Sequence, residues 1–424
     1  MRKTCLPVAM LILICFFLPA HAFDELASHE VSSNIRFYSV KAMPCGPDGR
    51  LNIIAAGQIK NGDGDAALMI AFSFRDGVFK EIARNIFLLN ADDHPGKTRI
   101  RSLIAINRSG SNQYFILVNG KGGPPHREKA FIRSYSFEGT FQLIDEMVFS
   151  DPEKAYTHGY PMIEADVDGD AENEIVFGGF SGNEDHDHAD IRVFSIGERG
   201  HLARKTSLRT HRLRGFPLRV NALASGDLTG DGAAEVVAAG RTVENDQERG
   251  AFLVISKQNT IWKHLKDTGS CRYRAATVAD MTGDGRQELI LGGRIDQGGD
   301  THALLDVWRI RHQDAQLLSR YRFTGAGSTR LRVLARPSGN RGRLIMGGRM
   351  ETLQGDRKRW KGFLQETTFR SGHLSSSSKT LIFDKGWETR VRAIDVVGNF
   401  VTPAGFAVDK TKASKGFISV CRLP

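Results

Sequence analysis

The chain has 424 residues, of which 58 are Lys or Arg and 48 are Asp or Glu, for a formal charge of +10, and 41% are hydrophobic. That is enough apolar residue for a sizeable core, and the basic excess is spread along the chain rather than gathered into a stripe with interleaved aromatics, which argues against nucleic acid as a partner. Five cysteines in this length exclude a disulfide-dense scaffold.

The first element is residues 1–22. Met1-Arg2-Lys3, an apolar run from Leu6 to Leu18, and Pro19-Ala20-His21-Ala22 form a basic start, a short apolar middle and an A-x-A end, the anatomy of a secretory signal peptide. A lipid anchor on Cys15 is not expected, because Ile14 before it is not small. A membrane span needs about 20 apolar residues, and no other stretch approaches that, so no transmembrane segment is expected. Residues 23–424 are therefore expected to be one exported domain, periplasmic or extracellular, and loss of Arg2 and Lys3 brings its charge to about +8. Cys45, Cys271 and Cys421 remain in it. Export permits a disulfide, for which Cys45 with Cys421 is the expected pair, and one thiol must stay outside it. In a eukaryotic source Asn107-Arg108-Ser109 is a glycosylation acceptor.

Beyond the leader the chain repeats. Gly57, Gly120, Gly179, Gly240, Gly293 and Gly348 each end an apolar run, and a seventh copy, "GFAVD" at Gly405 to Asp409, reads as continuing the register without that glycine. Each copy parses into four short apolar segments, clearest in "YRAATVAD", "QELILGG", "ALLDVWRI" and "AQLLSRYRF". Their alternation and their Gly, Asp and Asn punctuation are those of strands and hairpins. One four-stranded meander cannot bury both faces, whereas radial packing around an axis does. The expected fold is all-β, a seven-bladed β-propeller of four-stranded antiparallel blades. The last copy stops after its third segment at Pro424, so a strand around Leu26 to Ser32 is expected to complete the seventh blade from the N-terminus.

Between the first and second segments lies an acidic phrase, "DVDGDAENE" from Asp166, "DLTGDGAAE" from Asp227 and "DMTGDGRQE" from Asp280. Alternate inward carboxylates and one backbone carbonyl supply the oxygens that a hard cation such as Ca²⁺ takes. Without flanking helices it is not an EF-hand. The phrase, followed by an apolar strand and Gly-Gly, resembles the FG-GAP or VCBS-type repeat of integrin-α-like propellers. That resemblance covers the strand pattern of all seven copies and the metal loop of three. It implies calcium at Asp166, Asp168, Asp170, the Glu172 carbonyl and Glu174; at Asp227, Thr229, Asp231 and Glu235; and at Asp280, Thr282, Asp284 and Glu288. Thr229 and Thr282 replace a carboxylate, so those two loops should hold calcium more weakly, and Ala171 stands where the others have glycine. Elsewhere "PCGPDG", "NRSGSN", "RPSGNRG" and "VVGNFV" keep the turn without the acids. The competing reading is that the aspartates only form turns, although clustered carboxylates repel one another without a cation.

Arginine recurs on the opposite loop face. Arg99 and Arg101, Arg219, Arg272 and Arg274, Arg330 and Arg332, and Arg390 and Arg392 open first segments, and Arg241, Arg294 and Arg349 follow the terminal glycine. Of these, Arg99, Arg219, Arg274, Arg330, Arg390, Arg241, Arg294 and Arg349 make up a candidate face for an anionic ligand. The competing reading ties each blade to its neighbour, as recurrence in every repeat suggests. In "NEDHDHAD", His186 and His188 with Asp185, Asp187 and Asp190 could bind zinc or lie solvated, and "KNGDGDA" from Lys60 reads as a turn.

No nucleophile elbow, His-Glu-x-x-His, phosphate loop or paired-cysteine motif occurs. The expected function is a calcium-binding interaction module for a protein or an acidic glycan. The alternative is a lyase-like enzyme on acidic polysaccharide, with a proton abstracted by Tyr156, His158 or Tyr160 of "YTHGY".

Overall fold

The computed structural model describes residues 23–45, 50–62, 64–89, 96–107, 114–151, 154–183, 187–204, 217–256, 260–264, 270–311, 314–323, 329–335, 342–354 and 357–423. The expected leader and the Asn107-Arg108-Ser109 acceptor lie outside them, the latter from residue 108 on. All regular structure among them is β, and no helix long and apolar enough to cross a membrane is present.

After β1 (Asp24–Ser33), four strands form one antiparallel meander: β2 (Ile35–Cys45), β3 (Arg50–Asn61), β4 (Gly64–Arg75) and β5 (Val78–Phe87). The same four-stranded sheet recurs as β6 (Arg99–Asn107), β7 (Tyr114–Gly122), β8 (Lys129–Phe137) and β9 (Phe141–Phe149). It recurs again as β10 (Tyr156–Ala165), β11 (Glu174–Gly182), β12 (Asp187–Ile196) and β13 (Leu202–Arg204). A fourth sheet is β14 (Arg219–Gly226), β15 (Glu235–Glu244), β16 (Gln247–Ile255) and β17 (Thr260–His264). A fifth is β18 (Cys271–Ala279), β19 (Glu288–Gln297), β20 (Asp300–Arg311) and β21 (Asp314–Phe323). The remaining strands are β22 (Thr329–Ala335), β23 (Arg343–Gln354), β24 (Arg357–Arg370), β25 (His373–Phe383), β26 (Glu388–Val397), β27 (Phe400–Val408) and β28 (Ser414–Arg422). With β1 they form one eight-stranded sheet, whose two halves meet at a single parallel bridge between Trp360 and Glu388.

The pattern of each strand follows from its place. In β4 every residue from Ala66 to Phe72 is fully buried, because both faces meet neighbouring sheets, whereas β5 alternates at the rim. Apolar clusters fill the space between successive sheets. Ile54 and Met69 pack with Ile116 and Phe131, and Leu117 and Ile132 pack with Ile175 and Phe177. The series returns to its start where Ile70 and Phe72 meet Ala404 and Ile418. The innermost strands β2, β6, β10, β14, β18, β22 and β26 likewise touch in succession, and β26 touches β2. The sheets therefore stand around a common axis as a β-propeller.

The N-terminal strand joins the far end of the chain. β1 runs antiparallel to β28 from Asp24 opposite Arg422 to Ser33 opposite Lys415, and the Ser419 hydroxyl donates to Glu25 at 2.9 Å.

Two expectations need correction. The last copy does carry the terminal glycine: Gly405 faces Val391 just as Gly57 faces Phe37 and Gly240 faces Val220. The expected Cys45–Cys421 disulfide is absent. Cys421 is a free thiol buried among Phe23, Phe383 and Phe417, and burial pushes it well above the usual thiol range. Cys271 is also free and buried.

Candidate functional site

Every innermost strand carries one register irregularity, always at the same place. The shifts fall at Tyr38, Arg101, Asn221, Arg274, Arg332 and Arg392, and across Tyr160 and Pro161 in β10. A bulge inserts an unpaired residue and re-aims its side chain. Opposite each bulge sits the repeat's terminal glycine. A Cβ at Gly57, Gly120, Gly179, Gly240, Gly293 or Gly405 would stand 1.9–2.1 Å from a carbonyl oxygen of the innermost strand. The glycine that marks each repeat in the sequence is therefore what lets the bulge form.

The bulged residues line a cavity of ≈ 560 Å³ in the central channel, with Tyr38, Arg101, Tyr160, Asn221, Arg274 and Arg392 among its walls. The half-buried Ile104, Pro161, Ala276 and Ile394 also line it, as do the charged Lys41, Glu164 and Asp395. Arg101 lies between two phenol rings, 4.7 Å from the centre of Tyr38 and 5.1 Å from that of Tyr160. Arg274 donates to the Asn221 side-chain oxygen at 3.0 Å, and Arg392 lies 5.3 Å from the Phe406 ring centre. Among the described residues these three arginines meet an amide or aromatic rings rather than a carboxylate, and the Nε of each is shielded from water without an acceptor. Burial, then the neighbouring Arg272, brings Arg274 down to about 9, and burial, then Arg390, brings Arg392 down to about 10. For Tyr160 burial acts upward, but Arg101, Arg219, Arg274 and Lys121 outweigh it and bring the phenol down to about 8.

The arginines two positions earlier are placed differently. Arg99 donates to Asp65 of the preceding sheet at 2.7 Å, Arg219 lies 3.7 Å from Asp187 of the preceding sheet, and Arg272 donates to Glu248 of the preceding sheet at 2.9 Å. Arg241 and Arg294 converge on the same Glu248, Arg390 donates to Glu388 at 2.6 Å, and Arg349 pairs with Glu388 across the Trp360 bridge. The side chains of Arg330 and Arg332 lie outside the described residues. Of the expected anion face, then, Arg99, Arg219, Arg241, Arg294, Arg349 and Arg390 hold carboxylates, and Arg274 alone is shown facing the cavity. Nothing in the sequence separates Arg101 and Arg392 from their partners two residues away.

In "YTHGY" the three rings stack, but only Tyr160 lines the cavity. Tyr156 donates to Asp187 at 3.0 Å. His158 is buried, its Nε2 lies 3.0 Å from the Lys121 Nζ and 3.7 Å from Glu128, and burial brings it down to about 4 against the pull of Glu128, with Lys121 adding to the fall. It does not line the cavity. Of the histidine-rich hairpin, Asp185 and His186 lie outside the described residues, while Asp187 serves Tyr156 and Arg219, and Asp190 holds Arg192 at 2.8 Å. Those acids are engaged by arginine, which does not fit the zinc alternative. The "KNGDGDA" turn places Asp65 against Arg99.

The three acidic loops join the first and second strands of their sheets, and they differ. In the first, carboxylate oxygens of Asp166, Asp168 and Glu174 lie within 4.8 Å of one another, which fits a shared cation with Ca–O distances near 2.5 Å. Asp170 is not part of that group and accepts from the Glu172 amide at 2.9 Å, and the Glu172 side chain is exposed. Ala171 takes a left-handed φ of 68°, the conformation its glycine counterparts adopt freely. In the second loop the Thr229 hydroxyl donates to Glu235 at 3.1 Å, Asp227 and Asp231 cap amides, and burial raises the Glu235 carboxyl. In the third loop a guanidinium stands in the cation's place. Arg309 donates to Glu288 at 2.6 Å, to Asp284 at 2.8 Å and to Thr282 at 3.0 Å, while Asp280 caps the Gly283 and Gly285 amides. Its counterparts beside Glu174 and Glu235 are Ser195 and Ser256 by register. The third loop therefore does not fit calcium.

No family model matches the chain, and no curated protein matches it. Solved structures similar to it include Sqt1 from Chaetomium thermophilum, at 12% identity and a TM-score of 0.48 over 95% of this chain and 99% of that one. The Nup133 β-propeller domain of Vanderwaltozyma polyspora is 11% identical over 92% of this chain and 100% of that one, with a TM-score of 0.42. An α-L-arabinanase of Penicillium chrysogenum complexed with arabinobiose is 11% identical over 95% and 98%, with a TM-score of 0.44.

Proposed function

We propose that the chain is an exported, calcium-stabilised, seven-bladed FG-GAP or VCBS-type propeller that binds an anionic partner, a protein or an acidic glycan, at the mouth of its central channel. The observation that carries this is the set of Arg101, Arg274 and Arg392, which face one cavity and, among the described residues, meet an amide or aromatic rings rather than a carboxylate. A cation is not left unpaired in a partly desolvated place without a cost, and an anionic ligand removes it. The reading of seven blades is supported by the single bridge that joins the two halves of the eight-stranded sheet, which lets that sheet count as two. Calcium is assigned to the Asp166 loop, and more weakly to the Asp227 loop, where it would neutralise clustered carboxylates and hold the hairpin. Export rests on residues 1–22 alone.

Retention of residues 23–424, in calcium, on acidic and neutral polysaccharides at low and high salt tests the reading. Salt-sensitive retention on acidic matrices that is lost in an Arg274→Gln/Arg392→Gln double variant supports it. Retention unchanged by that double variant would remove the channel from the binding surface.

One observation favours a second, enzymatic reading. Tyr160 lines the cavity between arginines, and its lowered phenol makes it the candidate proton abstractor of the "YTHGY" segment. Turnover of an acidic polysaccharide that vanishes in Tyr160→Phe, with binding retained, would establish it.

A further inference from the structure

The proposed anion site can be given a chemical class. Arg101, Arg274 and Arg392 come from three separate strands, β6, β18 and β26, spaced around the channel axis. Guanidiniums entering one cavity from several strands suit a ligand whose oxygens also point in several directions. A carboxylate is planar and carries one charge, so a single guanidinium fork satisfies it. A phosphate or sulfate group presents three or four oxygens tetrahedrally and, as a phosphate monoester, carries up to two charges. Tyr160, beside Arg101, adds a phenol hydroxyl to the lining, whereas the Tyr38 hydroxyl donates to Gln58 at 3.0 Å and the Asn221 amide to the Arg219 carbonyl at 3.1 Å. The half-buried Ile104, Pro161, Ala276 and Ile394 line the same cavity and offer apolar surface for the rest of a small molecule. The volume, ≈ 560 Å³, lies within the ordinary range of small-molecule sites.

We infer that the central channel binds a small molecule through a phosphate or sulfate group gripped by Arg101, Arg274 and Arg392. This rests on the anion-binding reading above and narrows it. The arginines' geometry also implies an energetic signature. Burial first, and then the charge of a neighbouring arginine, lowers the proton affinity of Arg274 and Arg392, so each of these two buried guanidiniums costs stability until an oxyanion arrives. A structural arginine would do the reverse.

The experiment uses the calcium-loaded chain of residues 23–424 and four probes: inorganic phosphate, sulfate, acetate and chloride at matched ionic strength. Calorimetric titration and thermal unfolding are read on the wild type and on Arg392→Gln. Phosphate and sulfate are expected to bind and raise Tm, and acetate and chloride are not. Arg392→Gln is expected to weaken phosphate binding about tenfold to a hundredfold, the equivalent of one charge-assisted contact. Without ligand the same variant is expected to unfold about 1–3 °C higher than wild type. Phosphate stronger than sulfate, and increasingly so as it becomes a dianion, points to a phosphate monoester; the reverse order points to a sulfate ester. Equal responses to phosphate, sulfate and acetate would overturn the ligand class, as would an Arg392→Gln protein that unfolds lower and binds phosphate as before. If the small oxyanions are silent while acidic polysaccharide is still retained through the arginines, the narrower inference fails and the anion-binding reading stands. If nothing anionic is held, both fail.

Discussion

The Arg309 guanidinium donates to the fully buried Glu288 carboxylate at 2.6 Å from the strand beside it, in a loop whose two sister copies carry serine at the matching position. The repeated acidic phrase is thus neutralised internally in one copy, while the Asp166 and Asp227 copies are the ones proposed to take calcium.

Calcium dependence should follow that division. Asp166→Asn/Asp168→Asn is expected to abolish most of the Tm increase that calcium gives, and Asp284→Asn to leave it unchanged. Calcium titration of unfolding for the three proteins checks this. Arg309→Ser is expected to cost on the order of 2–4 kcal/mol in chelator, because it strands a buried carboxylate, and to gain a calcium response that the wild-type loop lacks.

Closure by β1 is a second handle. Deleting residues 23–33 removes the partner of β28 and exposes Ile418 and Val420, which are fully buried in the intact chain. The truncated protein should unfold at markedly lower denaturant or aggregate through the open edge. A peptide of residues 24–33 added in trans should restore part of the midpoint, as seen by chemical denaturation.

Tyr160 should give the channel a pH response. Its phenol is depressed to about 8 against an ordinary value of 10. Between those values the unfolded chain binds the proton more than the folded one, so stability should rise with pH from about 8 to 10. The phenolate also supplies a negative charge beside Arg101, so anion affinity should fall over the same rise. Phenolate absorbance and anion titration in wild type and Tyr160→Phe would show both effects, and both should vanish in the variant.

Much of this architecture is legible in the sequence because its signals are local. The glycine-marked copies, the four-segment meander and the spare N-terminal strand all appear as short patterns, and the structure sets β1 against β28 where the missing strand was expected. The channel was not legible, for a specific reason. Residues two apart in a regular strand point the same way, so Arg272 and Arg274 read as equivalent. The bulge between Tyr273 and Ala275 breaks that parity, sending Arg272 to Glu248 and Arg274 to the cavity. Nor can the acidic phrase disclose Arg309, which reaches it from 21 residues beyond Glu288.

Thermal unfolding of Arg272→Gln and Arg274→Gln, measured side by side without ligand, tests the central claim most directly. The two residues share a strand and a chemistry and differ only in the bulge between them. Arg272→Gln is expected to lower Tm, having lost the carboxylate it ties between sheets, and Arg274→Gln to raise it, having removed an uncompensated charge from the channel. Two lowered values would mean that both arginines are architecture and that the channel is not built to receive an anion.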